Sequence, residues 1–204
     1  KRKIYDGQLC VDTNFFYKKK IKSKLLENKF CFIGQLTKRK KIDLYFDLLN
    51  LIDKNKSINN KFSFTFFINT DLESQNILIK KINKFKKIKV DFKFNLDPKN
   101  LSKELNEIDA LVMISNNSVV IPEVMAKGLY VIAANMQFKD LFYKFGSVID
   151  KDSYIQALDK ILEFINKKED KIRLAEEGSK FIIENYSYKN YSLKLLDEYK
   201  KILD

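Results

Sequence analysis

Two segments of this sequence carry side chains suited to gripping a phosphorylated, hydroxyl-rich ligand. In the first, Ser115-Asn116-Asn117-Ser118 separates an apolar run, Ala110 to Ile114, from Val120-Ile121-Pro122-Glu123. The hydroxyl and amide groups of Ser115, Asn117 and Ser118 can donate to phosphate or sugar oxygens, and the Glu123 carboxylate can accept from sugar hydroxyls. In the second, Gly34-Gln35 closes another apolar run and Lys38-Arg39-Lys40-Lys41 follows. Gly34 lets the backbone come close to a ligand, Gln35 offers a neutral donor and Lys40 a cation. Each feature also has a plain structural reading. Asn and Ser turns commonly cap their own backbone, Pro122-Glu123 suits any first helical turn, and a lysine-rich helix start is usually solvated. Histidine is absent, which excludes a histidine base, a Ser-His nucleophile and a histidine metal site within this chain. No nucleophile can be paired with a base, so no catalytic residue is named, and no metal site is expected.

These side chains depend on alternating strands and helices for their placement. Lys29 to Ile33 reads as a buried strand ending at Gly34. Tyr45, Leu48, Leu49 and Ile52 then fall at helical spacing in a segment running to Asp53, with Thr37 as its cap. Phe62 to Ile68 and Val90 to Phe94 read as further strands, followed by the turns Asn69-Thr70-Asp71 and Asn95-Leu96-Asp97-Pro98. Ile77, Leu78 and Ile82 mark a helix from Leu72 to Lys84, and Leu101, Leu105 and Ile108 mark the next. Ala110 to Ile114 and Tyr130 to Ala134 are buried strands flanking the short helix of Glu123, which Gly128 stops. A short helix over Phe138 to Phe142, a last strand over Ser147 to Asp150 and a helical tail complete the pattern. In the tail, Leu195, Leu196, Tyr199, Ile202 and Leu203 read as core. The expected fold is α/β: a Rossmann-like parallel sheet of about six strands, helices on both faces, with ligands at the carboxyl ends of the strands.

Ser115, Pro122-Glu123, Met125-Ala126, Gly128 and Val131-Ile132-Ala133 together resemble the donor-binding segment of the retaining GT-B glycosyltransferases of family 4 (group 1). In that family a Glu at the position of Glu123 grips the ribose of a nucleotide-sugar. A second Glu is usual eight positions upstream, followed by Gly-Phe-Gly; here Ser115 and Asn116-Asn117-Ser118 stand in their places. The family's Gly-Arg-Leu, with a Lys five residues after the Arg, binds the donor diphosphate. Gly34, Leu36 and Lys40 match it, and Gln35 replaces the Arg. Val11-Asp12-Thr13-Asn14-Phe15-Phe16 resembles the Val-Asp-Thr-x-x-Phe that opens the family's C-terminal lobe. Asn135-Met136-Gln137 replaces a glycine-rich turn that meets the sugar and diphosphate.

The resemblance implies a lobe that binds a nucleotide-diphosphate-sugar donor, for transfer to a glycan or lipid-linked acceptor held by a missing N-terminal lobe. Transfer would be retaining and metal-independent, with no cofactor besides the donor substrate, and the isolated segment is expected to be inactive. Residues 1–28 would lead in from the absent lobe, and 29–204 would form the nucleotide-sugar-binding domain. The replaced Glu, Arg and glycines keep a second reading open: a non-catalytic scaffold or regulatory binding domain of the same fold.

The net charge is +12 over 204 residues and is nearly all lysine, with arginine only at Arg2, Arg39 and Arg173. An AT-rich coding sequence accounts for abundant Lys, Asn, Ile and Phe. The functional alternative is attraction to anions, whether nucleotide diphosphates, lipid phosphates or a bilayer surface. Nucleic-acid readers favour clustered arginine, so nucleic acid is not an expected partner. No apolar run reaches the roughly 18 residues of a spanning helix. The expected location is cytoplasmic, with peripheral association at the inner face of the membrane as the further option. Cys10 and Cys31 lack metal-like spacing and are expected to stay reduced, Cys31 within a buried strand.

Overall fold

Phenylalanine builds the first half of the sheet. In the computed structural model, which describes residues 10–16, 27–56, 58, 62–115, 120–134 and 143–203, strand β1 (Asn28–Gln35) lies beside β2 (Phe62–Asn69). Phe30, Phe32, Phe62, Phe64 and Phe66 are fully buried, with Phe30 stacked on Phe62 at 5.2 Å between ring centres. Cys31 is buried among them as a free thiol, and burial pushes its ionisation up. The later strands β4 (Ala110–Met113) and β5 (Tyr130–Ala134) are buried on both faces, which is why they read as unbroken apolar runs. With β3 (Lys89–Phe94) and β6 (Ser147–Ile149) they complete a six-stranded, wholly parallel sheet in the order β3-β2-β1-β4-β5-β6.

The order reverses between β1 and β4. Right-handed crossovers therefore put α1 (Ile42–Lys54) and α2 (Leu72–Ile82) on one face, and α3 (Pro98–Glu104) and α4 (Val120–Ala126) on the other. Helix α5 (Tyr154–Asn166) packs on α1, and α6 (Lys168–Tyr186) packs on α4. Helix α7 (Tyr188–Leu203) follows Ser187, where Val11 bridges the α6–α7 junction by hydrogen bonds to Tyr186 and Tyr188. No helix among the described residues is long and apolar enough to cross a membrane.

Three local expectations are corrected. Thr37 does not cap α1: a 3-10 turn over Lys38–Lys40 intervenes, and the residue before α1 is Lys41, with a left-handed φ of 42°. Side-chain capping falls instead to Asp71, Asp97 and Ser153. Ile77 is 53% exposed, because α2 buries the single face carrying Leu78 and, one turn on, Ile82; Ile77 points a third of a turn away. Leu196 and Tyr199 are also exposed, at 55% and 60%, because the main contact of α7 is α6 and not the sheet. The helix expected over Phe138 to Phe142, and Asn135-Met136-Gln137, lie outside the described residues.

The amino-terminal edge of the sheet is closed by a charge cluster. Asp109 accepts from the Lys29 backbone N–H at 2.9 Å and from Lys168 Nζ at 2.8 Å, and its own backbone bonds to Lys29 and Tyr130. The carboxylate thus joins β1 to α6, and the backbone of the same residue ties in β5. Lys168 is buried, so removing its partner strands a charge. Asp109→Ala is expected to cost about 3–5 kcal/mol in urea unfolding, part of it restored by adding Lys168→Met. Nearby, Lys171 and Lys160 bond Glu163 at 2.6 and 2.9 Å and hold its carboxyl at about 2, below its ordinary 4.5. A depressed carboxyl stabilises the fold above its unfolded value and loses that contribution as it protonates. Unfolding free energy should therefore fall between pH 4.5 and about 2, and Glu163→Gln should make that fall shallower.

Candidate functional site

A wholly parallel sheet gathers all its strand ends at one edge, and here the carboxyl ends of β1, β2 and β3 enclose a cleft of about 290 Å³. Gly34, Gln35, Thr37 and Lys40 line it from β1 and the turn that follows, Asn69 from β2 and Lys93 from β3, and Leu96 and Leu101 add apolar surface. Gly34 is needed for space: a Cβ there would meet the Phe32 ring at 2.9 Å and Lys40 Cε at 3.6 Å. Lys40 thus lies directly over the glycine. Its ammonium is half-buried, and that burial lowers its pKa. Lys93 is paired with Glu104. Asn95 fixes the rim. It sits at φ 51°, accepts from Thr70 N–H and donates to Thr70 O, both at 2.9 Å, and so ties the turn after β3 to the turn after β2.

Beside this cleft the sheet splits. β1 pairs with β4 only through Phe30 with Ala110 and Cys31 with Leu111. Past that point the edge of β4 is served by a side chain. Tyr45 of α1 inserts its hydroxyl, which accepts from Ile114 N–H at 2.9 Å and donates to Val112 O at 3.4 Å. The ring packs edge-on against Phe32, and burial pushes the phenol pKa up. Ser115 follows at the end of β4 and is buried. Asp152, from the turn after β6, reaches back to it: its N–H donates to Ile114 O at 2.8 Å and its carboxylate pairs with Lys41 Nζ at 2.6 Å. Lys41 chiefly, with help from the Ser115 hydroxyl, holds the Asp152 carboxyl below the usual range against the opposing effect of burial.

Glu123 occupies the first turn of α4, half-buried. Burial first, and the charge of Asp12 second, raise its pKa. Of the candidate residues, Gly34, Gln35 and Lys40 share one cleft. Ser115 and Glu123 stand at the same edge of the sheet but do not line that cleft; Asn117 and Ser118 lie outside the described residues. Sequence reasoning missed Asn69 and Lys93, which read as ordinary turn and strand residues. It also missed the Tyr45 hydroxyl and Asp152, whose partners are 67 to 111 residues distant in the chain.

Among solved structures, sucrose-phosphate synthase (tll1590) from Thermosynechococcus elongatus superposes with a TM-score of 0.74 and 15% identity, over 96% of this chain and 51% of that one. The C-terminal domain of a glycosyl transferase group 1 family protein, LpcC from Francisella tularensis, gives 0.71 and 17%, over 87% of this chain and 98% of the domain. TarM gives 0.69 and 19%, over 90% of this chain and 36% of TarM. A S. aureus TarM variant has been solved in complex with fondaparinux, alpha-GlcNAc-glycerol and UDP. No protein-family model and no curated protein matches the sequence. The chain thus spans about a third of TarM and half of the synthase, but nearly all of the LpcC domain.

The Tyr45 hydroxyl has a measurable role in this edge. Tyr45→Phe keeps the ring and leaves Ile114 N–H and Val112 O buried without it, at an expected cost of about 1–3 kcal/mol. Urea unfolding would measure the loss, and faster amide exchange at Ile114 would localise it.

Proposed function

We propose that this chain, which has the fold of the C-terminal domain of a GT-B, group 1 glycosyltransferase, is a lobe that binds a nucleotide-diphosphate-sugar donor. The observation that carries the reading is Lys40: a half-buried cation laid over Gly34 at the carboxyl end of β1, on the wall of a cleft with an apolar side. A diphosphate would sit against Lys40 and Gln35, with the base toward Leu96 and Leu101. A desolvated ammonium interacts more strongly with a phosphate than one in water, and the cleft is already shaped to receive it.

Glu123 is assigned to the ribose, where a carboxylate can accept from two hydroxyls. Asn117 and Ser118 are assigned to the donor phosphate or sugar on sequence grounds alone. The acceptor, a glycan or lipid-linked chain, would be held by a separate lobe. Bond cleavage at the sugar leaves charge on the departing diphosphate, so Lys40 would stabilise the transition state without a proton transfer. The net charge of +12 favours both an anionic donor and approach to an anionic membrane surface. A non-catalytic binder of the same fold is the second reading, favoured by Gln35 and Ser115 standing where the related pattern has Arg and Glu.

TarM has been solved with UDP, which makes uridine diphosphate the first ligand to try, followed by GDP and ADP. Calorimetry should show binding by at least one. Lys40→Ala should weaken it about tenfold or more, the loss expected for one charge-assisted hydrogen bond. Glu123→Gln should weaken it by a smaller factor. Absence of binding by any of the three would reject donor binding and leave the scaffold reading.

A further inference from the structure

Helix α3 borders two pockets. Leu101 lines the cleft at the carboxyl ends of β1 to β3, whereas Lys99, Ser102, Lys103 and, just past the helix, Asn106 line another, of about 260 Å³. Spacings of three and four residues put these four side chains on one face, turned away from Leu101. Lys127, one residue beyond α4, and the turn at Asn14-Phe15 supply the rest of the described lining. That lining holds three lysines and no acid. The acids of the same stretch are used elsewhere: Glu104 pairs with Lys93 of β3, Glu107 with Lys29 of β1. Asp97 caps the start of α3.

The pocket is built by the fold. Lys127 is only 5% exposed, and its Nζ donates to Asn106 Oδ1 at 2.6 Å. A buried ammonium attracts an anion more strongly than one in water. Ser102 Oγ donates to Phe15 O and fixes the turn against α3. Within the turn, Asp12 accepts from the N–H groups of Asn14 and Phe16, both at 3.0 Å, and Phe16 is buried. Phe15, 43% exposed, adds an apolar ring beside the three charges. A carboxylate brings one charge and two oxygens to such a place. A phosphate ester with a free end brings nearly two charges and three terminal oxygens, which can meet ammonium groups arriving from separate elements.

We propose that Lys99, Lys103 and Lys127 form a binding site for a phosphate group, separate from the cleft that holds Lys40. It stands apart from the donor-binding reading, because Lys40 and Gln35 take no part in it. The test follows the backbone amide signals of Lys103, Asn106 and Lys127 by NMR in the 204-residue chain. Glycerol 1-phosphate is titrated at constant ionic strength, with acetate as the control anion. Co-sedimentation with phosphatidylglycerol vesicles, against phosphatidylcholine vesicles, covers a phosphate carried by a lipid. Glycerol phosphate should saturate the three signals and bind at least tenfold more tightly than acetate, in the unaltered chain and in Lys40→Ala alike. Lys99→Gln with Lys103→Gln, both exposed, should weaken binding about tenfold. Lys86→Gln with Lys87→Gln, the same loss of charge outside the pocket, should leave it unchanged.

Lys127→Met should weaken binding at least as much; if thermal melting shows that this variant is unfolded, the exposed pair carries the test alone. Saturation by glycerol phosphate supports the site and assigns it to a soluble phosphate ester. Binding to phosphatidylglycerol vesicles alone, lost with Lys99 and Lys103 and kept without Lys86 and Lys87, supports it and assigns it to a lipid headgroup. No response to either probe overturns the inference. So does a response that survives the Lys99 and Lys103 changes, one that falls equally with Lys86 and Lys87, or one that disappears in Lys40→Ala.

Discussion

The bond from Ile114 N–H to the Tyr45 hydroxyl is the contact on which the functional edge depends. Two parallel strands that stay paired to their ends leave no room between them. β1 and β4 separate after Cys31 and Leu111, and separation leaves backbone groups of β4 facing a gap in the dry interior. One phenol oxygen serves two of them, as acceptor for Ile114 and donor to Val112. The sheet can therefore open at the place where its strand order reverses without stranding polar groups there. Tyr45 belongs to the first helix after β1, so the same short segment supplies the wedge, Lys41 and, just before it, Lys40.

The two edges of the sheet are built differently. At the amino edge, Asp109, Lys168 and Lys29 close on one another, and the strand starts are tied together by ordinary hydrogen bonds. At the carboxyl edge lie the described non-glycine residues with left-handed backbone: Lys41 after β1, Asn95 after β3 and Asp152 after β6. Each is held by a long-range contact, Lys41 and Asp152 by their mutual ion pair and Asn95 by Thr70. Strain concentrated where strands end, and imposed by contacts distant in sequence, is the pattern of a prepared binding surface more than of a solvent loop.

Much of this was readable from the sequence because it is periodic or local. β4 and β5 declared themselves as apolar runs, α1 by the spacing of Tyr45, Leu48, Leu49 and Ile52, and Gly34 by its position after a strand. Lys40 was found because it follows that glycine at short range. The errors have physical causes as well. Thr37 has the chemistry of a cap, but the 3-10 turn moves the helix start beyond its reach. Leu196 and Tyr199 follow a helical period, yet period reports a face and not what covers it. Nothing local distinguishes Asp152 from other acids in a turn; its meaning comes from Lys41, 111 residues earlier.

Cys31 gives this architecture an internal clock. It lies in β1, fully buried between β2 and β4, while Cys10 is only partly covered and sits beside the bridge at Val11. A thiol reagent added to the native protein reaches the partly covered Cys10 first, and reaches Cys31 only when the central strand detaches from its neighbours. The rate of the second, slow modification thus times the rarest opening of the sheet. Any molecule bound across the ends of β1 and β4 would lengthen that interval, so occupancy could be read without a label on the ligand.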